Sequence, residues 1–478
     1  MMEKKPIKPI AATHELKTPR IREQEVKVFN PYLNIDLLLD KLERDVGITG
    51  NSFIPNEKRQ TSGLLCIDLL MGGGILPGWY TVYGKEQSCK STLAMTALIA
   101  SLHSGIPIIS YFDYEGSNQT DYLENMMEAM GMRYQARDVF GIRNPKTNKW
   151  EIPPMVRINS SDIGEQFFDF LSRLCHSLPH KLYIGESWYY VYKDTKENRA
   201  IVGDNFDKAY YTSTKRLRVP AEDGSLQALL ILDSYPAMLP ESQDDDPSKA
   251  IAVQARFFSD NIKRVKGKLK GKRIAIVGVN QLRDIPMAMF GPTEQEPCGN
   301  ALKFFSDVRI KATARVLSGV PVSGFNTTGT ILKEQSLDGG IETYRFINLK
   351  ATKNKLSVPY LETWARLCIT DSTGKARGFD IVWDTFYYLH QTGQIEGNVK
   401  KIKIRLENGT IFSKTLTWID FKKLILGSKA DIMAICTDNG VKSFRLRDYC
   451  KKQLHSGNGV QLHLSKLASK EKADPDAE

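Results

Sequence analysis

The sequence predicts an α/β protein with a central, mostly parallel sheet flanked by helices. Three observations carry this. Short apolar runs at 79–83, 106–112, 229–232 and 274–279 read as strands. Helix-forming stretches at 93–103, 163–176 and 251–266 separate them. Between the first strand and the first helix stands Tyr83-Gly84-Lys85-Glu86-Gln87-Ser88-Cys89-Lys90-Ser91-Thr92. Strand, small-residue loop, Lys-Ser-Thr and helix are the context a phosphate-binding loop requires.

Gly84, Glu86, Gln87, Ser88, Cys89, Lys90, Ser91 and Thr92 are therefore candidate nucleotide-binding residues. Backbone N–H groups and a helix N-terminus can surround a polyphosphate there. Lys90 is placed to reach the β- and γ-phosphates, and the Ser91 hydroxyl to hold Mg²⁺. Cys89 departs from the pattern, standing where a second glycine belongs, and a Cβ is penalised wherever the loop needs an unusual φ.

The 478 residues suffice for two or three domains, and 41% hydrophobic with 25% charged residues is ordinary for a globular chain. Sixty-six Lys and Arg against fifty-five Asp and Glu leave a net charge of +11, which favours a polyanionic partner. Seven scattered cysteines, with no C-x-x-C pair, read as reduced cytoplasmic thiols. No apolar run approaches membrane-spanning length.

In chain order, 1–55 reads as a mobile basic arm followed by a docking helix at 34–46. Residues 56–394 form the core. The strand at 106–112 ends in Asp113-Tyr114-Glu115, which puts carboxylates in the crevice where open α/β sheets bind ligands. Glu115 could orient or deprotonate an attacking water there. The segment 180–225 reads as an insertion dense in Tyr, Trp, Lys and Arg, favouring a small β-excursion that packs its own aromatics over a base-stacking surface. The strand at 229–232 ends at Asp233, the candidate second Mg²⁺ residue. Seven cations without an intervening acid follow between 263 and 273, and such runs are solvated faces about as often as binding surfaces. A Gly- and Pro-punctuated loop spans 284–299, with an apolar tip at Met287, Met289 and Phe290. From 395 the chain reads as a small basic C-terminal α+β domain with a polar tail.

Taken together, 61–394 resembles the RecA family of ATP-dependent strand-exchange recombinases. The match is collinear. It runs through Thr61-Ser62-Gly63-Leu64-Leu65-Cys66-Ile67-Asp68, the phosphate loop, Phe112-Asp113-Tyr114-Glu115 and Leu232-Asp233-Ser234. It continues through Asn280-Gln281-Leu282-Arg283, Met289-Phe290-Gly291, Gly299-Asn300-Ala301-Leu302-Lys303-Phe304 and Lys353-Asn354-Lys355.

The resemblance implies a RecA-type ATPase core that takes ATP and Mg²⁺. On it Glu115 and Lys90 act in hydrolysis, and Gln281 senses the γ-phosphate and relays its presence to the loop at 283–299. Tyr122 would stack on adenine, and Lys353 and Lys355 would reach a neighbouring subunit's nucleotide. Arg256, Lys263, Arg283, Met289, Phe290 and Gly299 fall where the family contacts DNA. The implied partners are single- and double-stranded DNA, further copies of the chain in a helical filament, and single-strand-binding and mediator proteins. Cys89, Gln119, Pro286, Cys298 and the acidic run at 241–246 depart from the bacterial pattern, as expected for a divergent, bacteriophage UvsX-like member. Two other readings stay open at this stage: a hexameric helicase-like motor on the same fold, and a filament or mediator protein that binds ATP without hydrolysing it.

Overall fold

Alternating burial is what assembles the centre of this protein. In the strand Ala228–Asp233, Leu229 and Ile231 pack into one hydrophobic cluster while Leu230 and Leu232 pack into another. Both faces are covered, which is why the run carries no polar residue before Asp233. A computed structural model describes residues 57–116, 120–132, 134–161, 163–241, 247–285, 294–314 and 331–473. The arm and helix expected before residue 56, Gln119, the acidic residues 242–246, and Pro286, Met287, Met289 and Phe290 lie outside the described residues.

Helix α1 (Leu65–Leu70) leads to β1 (Gly78–Gly84) and α2 (Lys90–His103). Next come β2 (Ile108–Asp113), α3 (Thr120–Ala129), α4 (Ala136–Phe140), the ribbon of β3 (Ile142–Arg143) and β4 (Trp150–Ile152), β5 (Val156–Ser160) and α5 (Gly164–Ser177). A three-stranded antiparallel sheet follows, of β6 (His180–Ile184), β7 (Ser187–Lys193) and β8 (Arg216–Ala221), with α6 (Lys196–Val202) and α7 (Lys208–Thr214) between its last two strands. The chain then returns to the centre through β9 (Ala228–Asp233), α8 (Pro247–Leu269) and β10 (Ile274–Gln281). A hairpin stem of β11 (Arg283–Asp284) and β12 (Glu294–Gln295) leads to α9 (Ala301–Phe305) and β13 (Val308–Ala314). After these come β14 (Ile331–Gln335), β15 (Ile341–Asn354), β16 (Glu362–Thr370) and β17 (Gly378–Phe379). The last elements are α10 (Ile381–Gln391), β18 (Ile395–Asn398), β19 (Lys401–Ile404), α11 (Trp418–Leu426), α12 (Lys429–Asp438), α13 (Leu446–His455) and α14 (Asn458–Ala473).

The central sheet has ten strands. Six of them, in the order β13-β1-β10-β9-β2-β5, are mutually parallel. Beyond β13 the sheet turns antiparallel through β15, β16 and β17, with β14 also paired to β15. Strand β15 runs on through Asn354, past the apolar run at 343–349, because Leu349 and Ala351 continue to bury one face. Helix α2 covers one side of the parallel strands, and α5 and α8 cover the other. A third cluster joins α1, β15, β16 and α10 to the C-terminal elements through Phe346, Trp383, Phe412 and Phe421.

The basic run at the end of α8 and just beyond it is not one solvated face. Lys263, Arg264, Lys268 and Lys270 are exposed, but Lys272 and Arg273 are buried. The Lys272 ammonium donates to the Leu178 carbonyl, and burial brings its pKa down to about 8. Arg273 pairs with Glu57 and lies over the Trp188 ring at 5.1 Å. Just ahead of β10, Lys272 thus meets the segment between α5 and β6, and Arg273 meets β7 of the three-stranded sheet. Within that sheet Tyr183 meets Trp188 edge-on and Arg218 lies over Tyr189, and Arg218 also lies over Tyr210 of α7.

Candidate nucleotide-binding site

The C-terminal edge of the parallel strands carries the site. Gly84 is in register with Gln281, and Asp113 with Asp233, so four candidate positions end along one line. Beyond it lies a cavity of about 500 Å³ lined by Glu86, Gln87, Cys89, Lys90, Ser91, Thr92, Glu115, Asp233 and Gln281. Val279, Arg345, Leu367 and Ile369 complete the lining.

Gly84 is required by space: a Cβ there would stand 2.2 Å from the Ala312 carbonyl oxygen and 2.7 Å from Ser88 Oγ. The loop then takes two left-handed residues, Gln87 at φ 57° and Cys89 at φ 62°. Cys89 thus holds by force the conformation a glycine would take freely. Burial pushes its thiol up to about 11 against the pull of Arg345 and Lys90, so it is protonated at neutral pH and is no nucleophile. Cys89→Gly is expected to stabilise the protein by about 1 kcal/mol and the β-branched Cys89→Val to destabilise it, as read from thermal melts of the three proteins.

Lys90 folds back into its own loop, donating to the Lys85 carbonyl at 2.7 Å. Burial lowers its pKa, while Asp233 and Glu115 act in the opposite direction. The Asp233 carboxyl is buried, and burial raises its pKa to about 6 against the hydroxyls of Ser91 and Tyr111. Tyr111 donates to its Oδ2 at 2.7 Å, whereas Oδ1 is buried without a hydrogen-bond partner. An orphaned carboxylate oxygen near a serine hydroxyl fits a divalent cation. Among the described residues no group of three His, Cys, Asp or Glu could hold a metal alone, which suits Mg²⁺ completed by phosphate oxygens and water.

Glu115 is fixed through one oxygen. Its Oε1 accepts from the Ser234 hydroxyl and, at 3.3 Å, from Gln281 Nε2. Two residues past Gln281 the hairpin stem begins. Lys85, in the phosphate loop, reaches this stem with 2.7 Å to Asp284 and 3.5 Å to Glu294, and Lys311 also pairs with Glu294. Loop and stem are therefore bridged by side-chain charges.

Other candidate residues lie elsewhere. The Tyr122 hydroxyl is 3.2 Å from Thr92 Oγ1, beside the cavity but not in its lining. Lys353 donates to the Lys303 and Phe304 carbonyls, and Lys355 pairs with Asp307; neither lines the cavity. Arg256 and Lys263 are exposed on α8, and Arg283 is exposed on β11. Gly299, at φ 68°, packs against Ala255 of α8, where a Cβ would approach to 2.7 Å; this is a structural reason for glycine.

Arg345, Leu367 and Ile369 escaped the sequence reading because they lie within runs recognisable only as strands. Antiparallel pairing is what matters: it brings the N-terminal half of β15 to the edge where the parallel strands end.

The family model for the RecA N-terminal domain matches residues 219–370, which span Asp233, Gln281 and the antiparallel strands β14 to β16. Over this stretch the chain is similar to the RecA family. Protein RecA of Mycoplasma mobile is 27% identical over 206 residues, covering 40% of this chain and 55% of that relative. The plasmid protein RecA of Lactococcus lactis subsp. lactis is 24% identical over 303 residues, 63% of this chain and 62% of the relative. Protein RecA of Mesomycoplasma hyopneumoniae is 21% identical over 365 residues, 73% of this chain and 81% of the relative. The chain thus spans less than two thirds of the length of the first two relatives. The phosphate loop and Glu115 lie outside the stretch matched by the family model.

Proposed function

We propose that this chain is an ATP-dependent recombinase of the RecA family that forms a helical filament on single-stranded DNA and catalyses homologous pairing and strand exchange. The setting would be recombination, repair or recombination-dependent replication in the cytoplasm. One observation carries the reading: phosphate loop, Glu115, Asp233 and Gln281 converge on a single cavity, and the hairpin stem that follows Gln281 is tied to the loop by Lys85.

Bound ATP with Mg²⁺ would supply the phosphoanhydride and its charge neutralisation. Around it, the phosphate-loop amides and Lys90 bind the polyphosphate, and Ser91 and Asp233 hold the cation. Glu115 takes the proton of the attacking water, held in orientation by Ser234 and Gln281. Gln281 touches that carboxylate and also leads into the stem, so a change at the cavity reaches the loop at 286–293. Arg256, Lys263 and Arg283 are exposed cations suited to DNA phosphates, with Met289 and Phe290 at the loop tip as apolar contacts. Lys353 and Lys355 would leave their intrachain partners to reach a neighbour's nucleotide in the filament. Single-strand-binding and mediator proteins would be further partners.

The test is ATP hydrolysis with and without single-stranded DNA over a salt series, with electron micrographs of the same samples. Hydrolysis stimulated by DNA, weakening as salt rises, is expected together with helical filaments. Lys90→Ala should abolish turnover; a wild-type rate in that variant would overturn the assigned site. Rings would favour a helicase-like motor, and filaments without hydrolysis an ATP-binding mediator.

A further inference from the structure

Strand β15 contributes a cation that neither the phosphate-loop motif nor the catalytic strands supply. The cavity lining holds three carboxylates, Glu86, Glu115 and Asp233, and two cations, Lys90 and Arg345. A nucleoside triphosphate adds about four negative charges, of which one Mg²⁺ offsets two. Within one subunit's cavity lining, Lys90 would otherwise face the remainder while flanked by Asp233 and Glu115. Arg345 is the other cation in that lining and would share this charge.

Its geometry suits the task. Arg345 Nη1 donates to the Gln87 carbonyl at 3.4 Å, a long bond. Its Nε is buried and has no hydrogen-bond partner. The guanidinium thus stands against the left-handed stretch of the loop with donor capacity unspent. Planar guanidinium groups bind phosphate oxygens through two parallel N–H bonds, which an ammonium cannot do.

The geometry points to Arg345 as a nucleotide-binding residue that contacts the polyphosphate from the antiparallel side of the sheet. This rests on the proposal above that the cavity takes ATP. It adds a residue outside the phosphate loop, supplied by the same subunit.

The test is binding of a fluorescent ATP analogue, and of its ADP counterpart, to the full-length protein by anisotropy, with hydrolysis playing no part. Arg345→Ala is expected to weaken both by about tenfold or more, the change that loss of one charge-assisted contact produces. Arg345→Lys should recover part of that loss, because charge is restored and the fork is not. Melting of the nucleotide-free variants should match the wild type. An affinity within twofold of wild type in Arg345→Ala overturns the assignment, as does a loss that tracks a lowered melting temperature. If the wild-type protein itself binds neither analogue, the ATP reading fails, and the assignment with it. Binding by wild type and equally by Arg345→Ala removes only the role of Arg345.

Discussion

Glu115→Gln is expected to lower the rate of ATP hydrolysis by about 10²–10⁴-fold, the range over which a positioned general base acts. The substitution keeps size and an oxygen able to accept from Ser234 and Gln281, so the neighbouring geometry should persist. What it removes is the ability to take a proton. Nucleotide binding should therefore stay close to wild type while turnover falls. Parallel measurements of analogue binding and phosphate release check this, and an unchanged rate would assign the base elsewhere. The companion Gln281→Ala leaves the carboxylate and removes one of its two donors.

Arg366→Ala should cost about 3–5 kcal/mol of folding stability, as expected when one partner of a buried ion pair is removed. Arg366 is fully buried in β16. It donates to Glu334 at 2.6 Å and to Asp380 at 2.7 Å, and lies over the Tyr344 ring at 4.0 Å. Lys422 of α11 joins the same cluster through Glu334 and Glu342, and Trp418 donates to Glu334. The network therefore fastens the antiparallel edge of the sheet to the C-terminal helices.

Burial works against ionised Glu334, but Arg366 and Lys422 hold its pKa below the ordinary value. Its contribution is accordingly present above the unfolded carboxylate pKa and lost as pH falls through the depressed folded one. In Arg366→Ala this acid-side loss should begin at higher pH. Urea denaturation across a pH series measures both effects. A loss below about 1 kcal/mol would mean that packing alone holds this edge.

Much of this arrangement was legible in the sequence, and the reasons are local. Strands β1, β2, β9 and β10 are short apolar runs, and Lys90, Glu115, Asp233 and Gln281 each follow or end one of them. Parallel strands finish on one edge, so sequence position implied spatial convergence. Arg345 was hidden because antiparallel pairing reverses that relation, and nothing in 341–354 announces the direction of its strand. Burial of Lys272 and Arg273 was equally illegible: their partners Leu178, Glu57 and Trp188 come from distant segments. Tyr122 and Lys353 rested on family resemblance, and the single chain leaves both outside the cavity lining.

The three-stranded sheet β6–β8 has a practical corollary. Its first strand meets the core where Lys181 N–H donates to the Gly271 carbonyl, just before β10 begins. That is the edge opposite the one on which Gly84 and Gln281 stand. Its β6–β7 turn, at Gly185 and Glu186, uses two positive-φ residues, and no Cβ clash arises at Gly185. Here the chain offers a handle. A dye or affinity tag inserted at this turn would mark the protein from a hairpin that joins the core at the edge of the sheet away from the cavity.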